Sequence, residues 1–241
     1  MDANAFKTLL ASSDNIVFFG GAGVSTESGI PDFRSASGLY QQHALGNCTP
    51  EEILSYDFFI AHTEAFNRFY KSNMIHADAK PNGAHLALAG LEKTGKLKAV
   101  ITQNIDGLHQ MAGSNNVLEL HGSIHRNHCM ACGASYGLDH ILASENIPLC
   151  NQCHGIVKPD VVLYQEALNS HIMEAAADVI RKADVLIIGG TSLSVYPSAG
   201  LVHFYKGNKL VLINKTKTPF DGRADYVHDG PIGELFSRVM A

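Results

Sequence analysis

What this chain of 241 residues lacks narrows its class before any motif is considered. No apolar run approaches the length of about 18 residues that a bilayer-spanning helix requires, so no membrane partner is expected. The opening stretch, MDANAFKTLLASSD, carries neither the basic region nor the long apolar core of a secretory signal, which makes the cytoplasm the expected location. Blocks of Lys and Arg are missing and the net charge is -5. No specific nucleic-acid partner is therefore expected, while a cationic peptide is left open. Internal repeats and low-complexity tracts are absent as well. Cysteine is scarce: five residues in a chain without an export signal argue against a disulfide framework. Cys48, which pairs by spacing with none of the others, reads as a small apolar filler.

What is present is enough apolar material, 46% of the residues, for a sizeable core, in one large domain or a large one with a small partner. Short β-branched runs recur, each closing on Gly or polar residues: NIVFFGG (15–21), KAVITQN (98–104), NVLELHG (116–122), DVLIIGG (184–190) and KLVLINK (209–215). Near-continuous apolar strands suit a parallel sheet covered on both faces. Helix-like stretches lie between them at 82–95 and 170–183; in the second, Ile172, Ala176, Val179 and Ile180 recur at about helical spacing. Two stretches interrupt the alternation. Residues 40–80 are helical and aromatic-rich, with Thr49 as a possible cap and Pro50 at a helix start; residues 126–156 hold the cysteines and little periodicity. The expected fold is thus α/β, an open, mostly parallel, Rossmann-like sheet with a smaller domain. Residues 1–39, 81–125 and 156–241 would form the sheet domain, and 40–80 with 126–155 a helical module and a cysteine module.

Chemistry gathers at the strand ends. In FGGAGVSTESGIPDFRS (19–35), Gly21 and Gly23 lack a Cβ, so backbone N–H groups could close on phosphate oxygens with a helix N-terminus behind them. Thr26 stands where the dehydrogenase fingerprint needs its last glycine, so that fingerprint is absent. GIPDFRS adds Phe33 and Arg34, an aromatic plate and a cation. TQNIDGLH (102–109) ends an apolar strand in Gln103, Asn104 and Asp106, groups that cost free energy to bury unless hydrogen-bonded. In open α/β sheets ligands bind outside the carboxyl ends of strands, so the polar groups at 103–106, 121, 191–192 and 214 are expected to face one crevice. His121, in LELHGS, is the candidate general base, with Gly122 leaving room for a ligand beside the ring.

CMAC (129–132) and CNQC (150–153) place two thiolate pairs 17 residues apart. That pattern is the closed four-cysteine shell of structural zinc, with Cys129, Cys132, Cys150 and Cys153 as ligands; an iron site of rubredoxin type and a redox pair are the alternatives. His125 and His128 invite a metal reading that four thiolates already render unnecessary. GIVKPDVVLYQE (155–166) reads as an edge strand through Pro159, Val161 and Val162, able to accept an extended peptide by strand addition. GGTSLSVYPS (189–198) could flank the same peptide.

Taken as an ordered set, GAGVS-x-x-SGIPDFR, TQNID, the HG pair, two C-x-x-C pairs, KPDVV, GTSL-x-V and the IN of LVLIN resemble the sirtuin family, the NAD-dependent protein lysine deacylases, and most closely its small bacterial members. The resemblance implies that Ala22, Thr26 and Arg34 line the NAD phosphates and ribose and that Phe33 shields the reacting face. Gln103 and Asn104 would face the nicotinamide ribose, and Ile105 with Asp106 would hold the carboxamide. Thr191, Ser192, Asn214 and Ile232 would hold the adenosine half, and Val162 and Tyr164 would line the acyl-lysine tunnel. The implied partners are acylated lysines in proteins or peptides. His121 would take a proton from a ribose hydroxyl, and the products would be nicotinamide, acyl-ADP-ribose and free lysine. Zinc, one per chain, would be structural and NAD the co-substrate.

Two departures bear on substrate. Where many members carry Phe-Gly-Glu after the double valine, this chain has Tyr164, Gln165 and Glu166. Members favouring acidic acyl groups carry Tyr-x-x-Arg; the aligned helix here reads Asn67-Arg68-Phe69-Tyr70, which favours a neutral acyl group such as acetyl. A mono-ADP-ribosyltransferase using the same pocket, and an NAD sensor without turnover, are the competing expectations.

Overall fold

β-branched side chains pack well on a pleated surface, and in the computed structural model, which describes residues 2–33, 38 and 48–240, all five of the runs above become strands. In chain order the strands are β1 (Ile16–Gly20), β2 (Leu97–Thr102), β3 (Val117–Glu119), β4 (Asn127–Cys129), β5 (Ser135–Tyr136), β6 (Val157–Pro159), β7 (Val185–Gly189), β8 (Leu210–Asn214) and β9 (Tyr226–Asp229). Six of them form one sheet in the order β3-β2-β1-β7-β8-β9, with every pairing parallel. β9 was not anticipated: Tyr226–Asp229 is a short edge strand, half-buried to exposed, with no apolar run to announce it.

The period of two along each strand sorts the core into two layers. Ile16, Phe18, Val100, Ile187 and Ile213 face the helices Ala3–Ala11, Gly83–Lys93 and Ile232–Met240. Val17, Phe19, Ile101, Ile188 and Leu212 face the helix Ser170–Lys182 and the 3-10 segment Ser198–Phe204. Each large side chain so buried contributes roughly 1.5–3 kcal/mol of transfer free energy. Helix starts are marked by side chains that take up otherwise unpaired N–H groups: Asp2 accepts from Ala5, Asn82 from Ala84, and Asn169 from His171 and Ile172.

A third core lies apart from the sheet. Thr49 and Glu52 close a capping box at the helix Pro50–Ile53. Two further helices, Tyr56–Ala61 and Thr63–Asn73, bury Phe59, Phe66, Phe69 and Tyr70. These rings pack with Ile124, Cys129, Ile141, Cys150 and Val157, so residues of both insertions share one apolar cluster. Beside it β4 pairs antiparallel with β5 and β6.

Two local expectations are corrected. No α-helix follows β1 directly; the chain makes two 3-10 turns, Ala22–Val24 and Thr26–Ser28, which end at Gly29 in left-handed backbone with φ 85°. The edge strand stops at Pro159 and does not run through Val161 and Val162. Beyond it the N–H groups turn elsewhere: that of Asp160 to Arg126 O, of Val162 to His121 O, and of Tyr164 to Leu54 O.

Candidate active site

β1 has β2 on one side and β7 on the other, so the chain's progression across the sheet reverses between β1 and β7, where open α/β sheets leave a crevice. There a cavity of about 1060 Å³ opens, lined by residues that follow β1, β2, β3, β7 and β8. Ala22, Thr26 and Phe33 reach it from the loop after β1, and Gln103, Asn104, Ile105 and Asp106 from the end of β2. His121 comes from behind β3, Thr191 and Ser192 from behind β7, and Asn214 from the last position of β8. Ile232 opens the last helix, and Val162 and Tyr164 stand on the loop after β6. Arg34 lies outside the described residues.

The polar strand ends satisfy one another in part. Ser25 Oγ donates to Asp106 Oδ2 at 2.6 Å, Asn104 Nδ2 donates to Ser25 Oγ at 3.1 Å, and the Leu108 N–H donates to Asp106 Oδ1 at 2.9 Å. Gln103 Nε2 reaches Thr191 Oγ1 at 3.4 Å, and Asn214 Nδ2 donates to the Thr191 carbonyl at 3.2 Å. Ser25 is the hub of this network and carried no role in the sequence reading. The only signal for it was its place in GAGVS, two residues beyond the tight Gly-Ala-Gly turn.

His121 Nδ1 lies 2.9 Å from the Gln103 carbonyl. A carbonyl only accepts, so Nδ1 carries the proton and Nε2 keeps its lone pair. Burial holds the His121 pKa below its ordinary value, opposed by that hydrogen bond, so the ring is neutral and able to accept a proton near pH 7. Two further imidazoles are buried in the sheet domain, one of them, His85, within electrostatic reach of Asp106. His85 and His109 are fully buried with ring centroids 4.7 Å apart. Burial lowers the pKa of His109 to about 3, with His85 adding to the shift, and that of His85 to about 4 against the pull of Asp106. Neither signalled itself in the sequence, because a His inside an apolar helical stretch looks like any other polar interruption.

The glycines serve packing. The N–H groups of Gly21 and Gly23 donate to the Gly189 and Gly190 carbonyls at 3.2 and 2.8 Å. A Cβ on Gly23 would come within 2.7 Å of Gly190 Cα. These two N–H groups are thus spent in holding the loop against the end of β7. Gly122 is required by the backbone as well. Its φ is 75°, and a Cβ there would lie 1.7 Å from the Asp160 carbonyl oxygen, so the absent side chain makes room for the chain itself.

Glu27, also unforeseen, accepts from the Gly233 and Glu234 N–H groups at 2.8 and 3.0 Å, capping the last helix and fixing Ile232 beside the loop after β1. The loop after β6 is braced by Lys158, which is 5% exposed and whose Nζ donates to the Pro159 and Val161 carbonyls and to Glu166 Oε2 at 3.1, 3.1 and 2.9 Å.

The four cysteines form a separate centre, with all four Sγ atoms within 4.8 Å of one another. Cys129 and Cys153 are 3.5 Å apart, as are Cys132 and Cys150. A tetrahedral zinc with bonds of about 2.3 Å sets its sulfurs about 3.8 Å apart, so the cluster fits one such ion. The N–H groups of Ala131 and Gln152 point at Cys129 and Cys150 Sγ, and the Tyr136 hydroxyl donates to Cys150 Sγ at 3.1 Å, all of which favour thiolate. Among the described residues the candidate metal group holds the four cysteines without His125, whose Nε2 sits 3.1 Å from the Asp106 carbonyl.

A parallel sheet whose polar strand ends surround one cavity, joined to a four-thiolate module, defines a Rossmann-like α/β protein with a structural metal site. Within that class the chain belongs to the Sir2 family, whose model matches residues 21–197. It is 57% identical over 238 residues to the NAD-dependent protein deacetylase of Clostridium acetobutylicum, covering 98% of this chain and 97% of that protein. Among solved structures it is similar to a Sir2 variant with a deacetylated p53 peptide and 3'-O-acetyl ADP ribose, at 40% identity and a TM-score of 0.90 over 100% of this chain and 98% of the other. A complex of Sir2 with a p53 peptide and NAD+ matches at 41% identity and a TM-score of 0.86, with the same coverage.

Proposed function

We propose that this protein is an NAD-dependent protein-lysine deacylase that removes acetyl or similarly neutral acyl groups and releases nicotinamide, O-acyl-ADP-ribose and free lysine. The observation that carries this reading is the pairing, within one cavity, of a neutral His121 with the wired Ser25–Asn104–Asp106 cluster. The polar groups around the cavity suit a dinucleotide: amides and hydroxyls for ribose and carboxamide, and a carboxylate fixed by two donors. Ala22, Thr26 and Phe33, with Arg34 from the sequence pattern, take the phosphates and the reacting ribose. Gln103, Asn104, Ile105 and Asp106 take the nicotinamide half, and Thr191, Ser192, Asn214 and Ile232 the adenosine half.

When bound, NAD supplies an electrophilic ribose carbon and vicinal hydroxyls. An amide oxygen is a weak nucleophile, so the protein's task is alignment. Val162 and Tyr164 hold the acyl-lysine, and Asp106 orients the carboxamide from its fixed rotamer. His121 Nε2 removes the ribose-hydroxyl proton, with the Gln103 carbonyl holding the ring in the required tautomer. The zinc stays outside these steps and holds the small module together. The sheet residues and the two insertions act as two domains with the cavity between them. Neutral acyl preference is favoured by Asn67 and Tyr70: both are buried, and neither offers a cation to an acidic acyl group.

Incubation with NAD and an acetyl-lysine peptide tests the reading by mass spectrometry. The expected products are deacetylated peptide and acetyl-ADP-ribose. Nicotinamide release with the peptide still acetylated would sink it, and mass gained by a protein would favour ADP-ribosyl transfer instead.

A further inference from the structure

Among the described residues only three non-glycines have positive φ, and one of them, Gln165, sits on the loop that carries Val162 and Tyr164. Its φ is 77°, in the left-handed region that a Cβ disfavours. A long, flexible side chain is a poor choice for such a position unless something holds it. Gln165 is held twice. Its Nε2 donates to Asp57 Oδ2 at 3.0 Å, and its Oε1 accepts from the Asp57 N–H at 3.0 Å. The two bonds together settle which end of the amide is which, because an N–H faces only Oε1 and a carboxylate faces only Nε2.

The pair does more than close a turn, since its partners lie 108 residues apart. Asp57 belongs to the first turn of the helix Tyr56–Ala61, in the helical insertion. Next to the pair, the Tyr56 N–H donates to the Tyr164 carbonyl and the Tyr164 N–H to the Leu54 carbonyl, both at 3.0 Å, forming a short parallel bridge. At its other end the loop is tied to the sheet domain, where the Val162 N–H donates to the His121 carbonyl at 3.0 Å. The loop thus spans from the backbone of the candidate base to the helical module, and Gln165 is its last fastening there.

Resting on the deacylase reading, we propose that Gln165 and Asp57 act as a clasp that presets the acyl-lysine loop in its binding shape. They are positioning residues for the peptide and make no contribution to the dinucleotide side. Without the clasp, a Cβ-bearing residue 165 drifts out of left-handed backbone. Val162 and Tyr164 then have to be reordered each time a peptide binds, and that ordering cost appears in peptide affinity.

Steady-state kinetics with an acetyl-lysine peptide and NAD test this with Gln165→Ala, Asp57→Ala, Asp57→Asn and the Gln165→Ala/Asp57→Ala double variant. Gln165→Ala is expected to raise the peptide KM about fivefold while kcat and the NAD KM stay within twofold. Asp57→Ala keeps its own N–H as a donor and should cost about half as much on a logarithmic scale. Asp57→Asn still offers a side-chain oxygen to Gln165 Nε2 and should restore the wild-type KM. The double variant should be no worse than Gln165→Ala, the mark of two residues acting as one. An unchanged peptide KM overturns the clasp, and so does a parallel fall in kcat and NAD affinity, which would mark a general structural lesion. Hydrogen exchange without substrate reads the clasp separately: the Asp57 amide should exchange faster in Gln165→Ala. A wild-type protein that turns over no peptide, with that amide still protected by Gln165, would overturn the substrate role together with the deacylase reading; equal exchange in both forms would overturn the clasp alone.

Discussion

On one side of the cavity Gln103, Asn104, Thr191 and Asn214 are carried by the ends of parallel strands, each bonded to neighbours along its length. On the other, Val162 and Tyr164 stand on a loop that belongs to neither sheet and is held by Lys158, Glu166, Gln165 and Asp57 through side chains. The first arrangement is rigid because displacing one group means breaking a ladder of backbone hydrogen bonds and exposing a core. The second is more adjustable, since besides a few isolated backbone bonds its fastenings are side-chain bonds, each worth about 1 kcal/mol net. On the function proposed above, a cavity built this way suits a constant co-substrate on the stiff side and variable peptides on the compliant one.

Substitutions on the two sides should therefore separate into different kinetic signatures. The largest effect is expected at His121, which stands where the sides meet. His121→Ala should lower deacylation by about a thousandfold, the scale of a lost general base, while NAD binding, measured by calorimetry, changes by no more than a few fold. Equal loss of binding and turnover would mean that the ring is structural. Next in size is the metal centre. Replacing Cys129 by Ser removes one of four thiolates from a closed site whose binding energy is folding energy. We expect a Tm lower by about 10 °C or more, with zinc content falling from one per chain, and a strong chelator should act likewise.

The buried imidazoles His85 and His109 yield a pH signature for the stiff side. The folded pKa values of His109 and His85, about 3 and about 4, lie below the unfolded value near 6.5. Between those limits the unfolded chain binds more protons, so their contribution is constant above about pH 7 and is lost as pH falls through 6.5 towards 4. At pH 5 that amounts to a few kcal/mol for the pair, taking about 1.4 kcal/mol per unit of pKa difference. Denaturant unfolding from pH 8 to 5 should show the decline, and His109→Leu should flatten it. A profile that is level in the wild type would place these rings in contact with water.

The same division governs what could be read from the sequence. The strands of the stiff side announced themselves, because a buried parallel strand is a continuous apolar run and its polar end groups come immediately after it. The four cysteines were equally plain, since ligand spacing is a local property. The network behind the site was not legible. Ser25, Glu27 and Lys158 act through partners 81, 206 and 8 residues away, and no local pattern marks a side chain whose partner is set by the tertiary fold. The packing role of the glycines was hidden for a related reason. Gly21, Gly23 and Gly122 are required by the close approach of other backbone segments, and a sequence shows the missing Cβ without showing what fills its place.

Lys158 offers the smallest and sharpest test of the compliant side. Its ammonium is nearly buried and satisfied by two carbonyls and one carboxylate oxygen, and the same Glu166 oxygen accepts the Leu163 N–H at 2.8 Å. Breaking a buried pair leaves its partner uncompensated, but Glu166 is a quarter exposed and water can reach it. Lys158→Met keeps the volume of the stem and removes three hydrogen bonds, leaving the Pro159 and Val161 carbonyls without the ammonium and Glu166 Oε2 with the Leu163 N–H. The peptide KM should rise by up to about tenfold, the equivalent of ~1.4 kcal/mol, with a smaller change in Tm than at Cys129 and none in the NAD KM. Lys158→Arg should not rescue it, since a planar guanidinium in a closed pocket cannot reproduce three donors radiating from one nitrogen. If the NAD KM rises with the peptide KM, the loop and the strand ends move as one body, and the contrast between a stiff and a compliant side is lost.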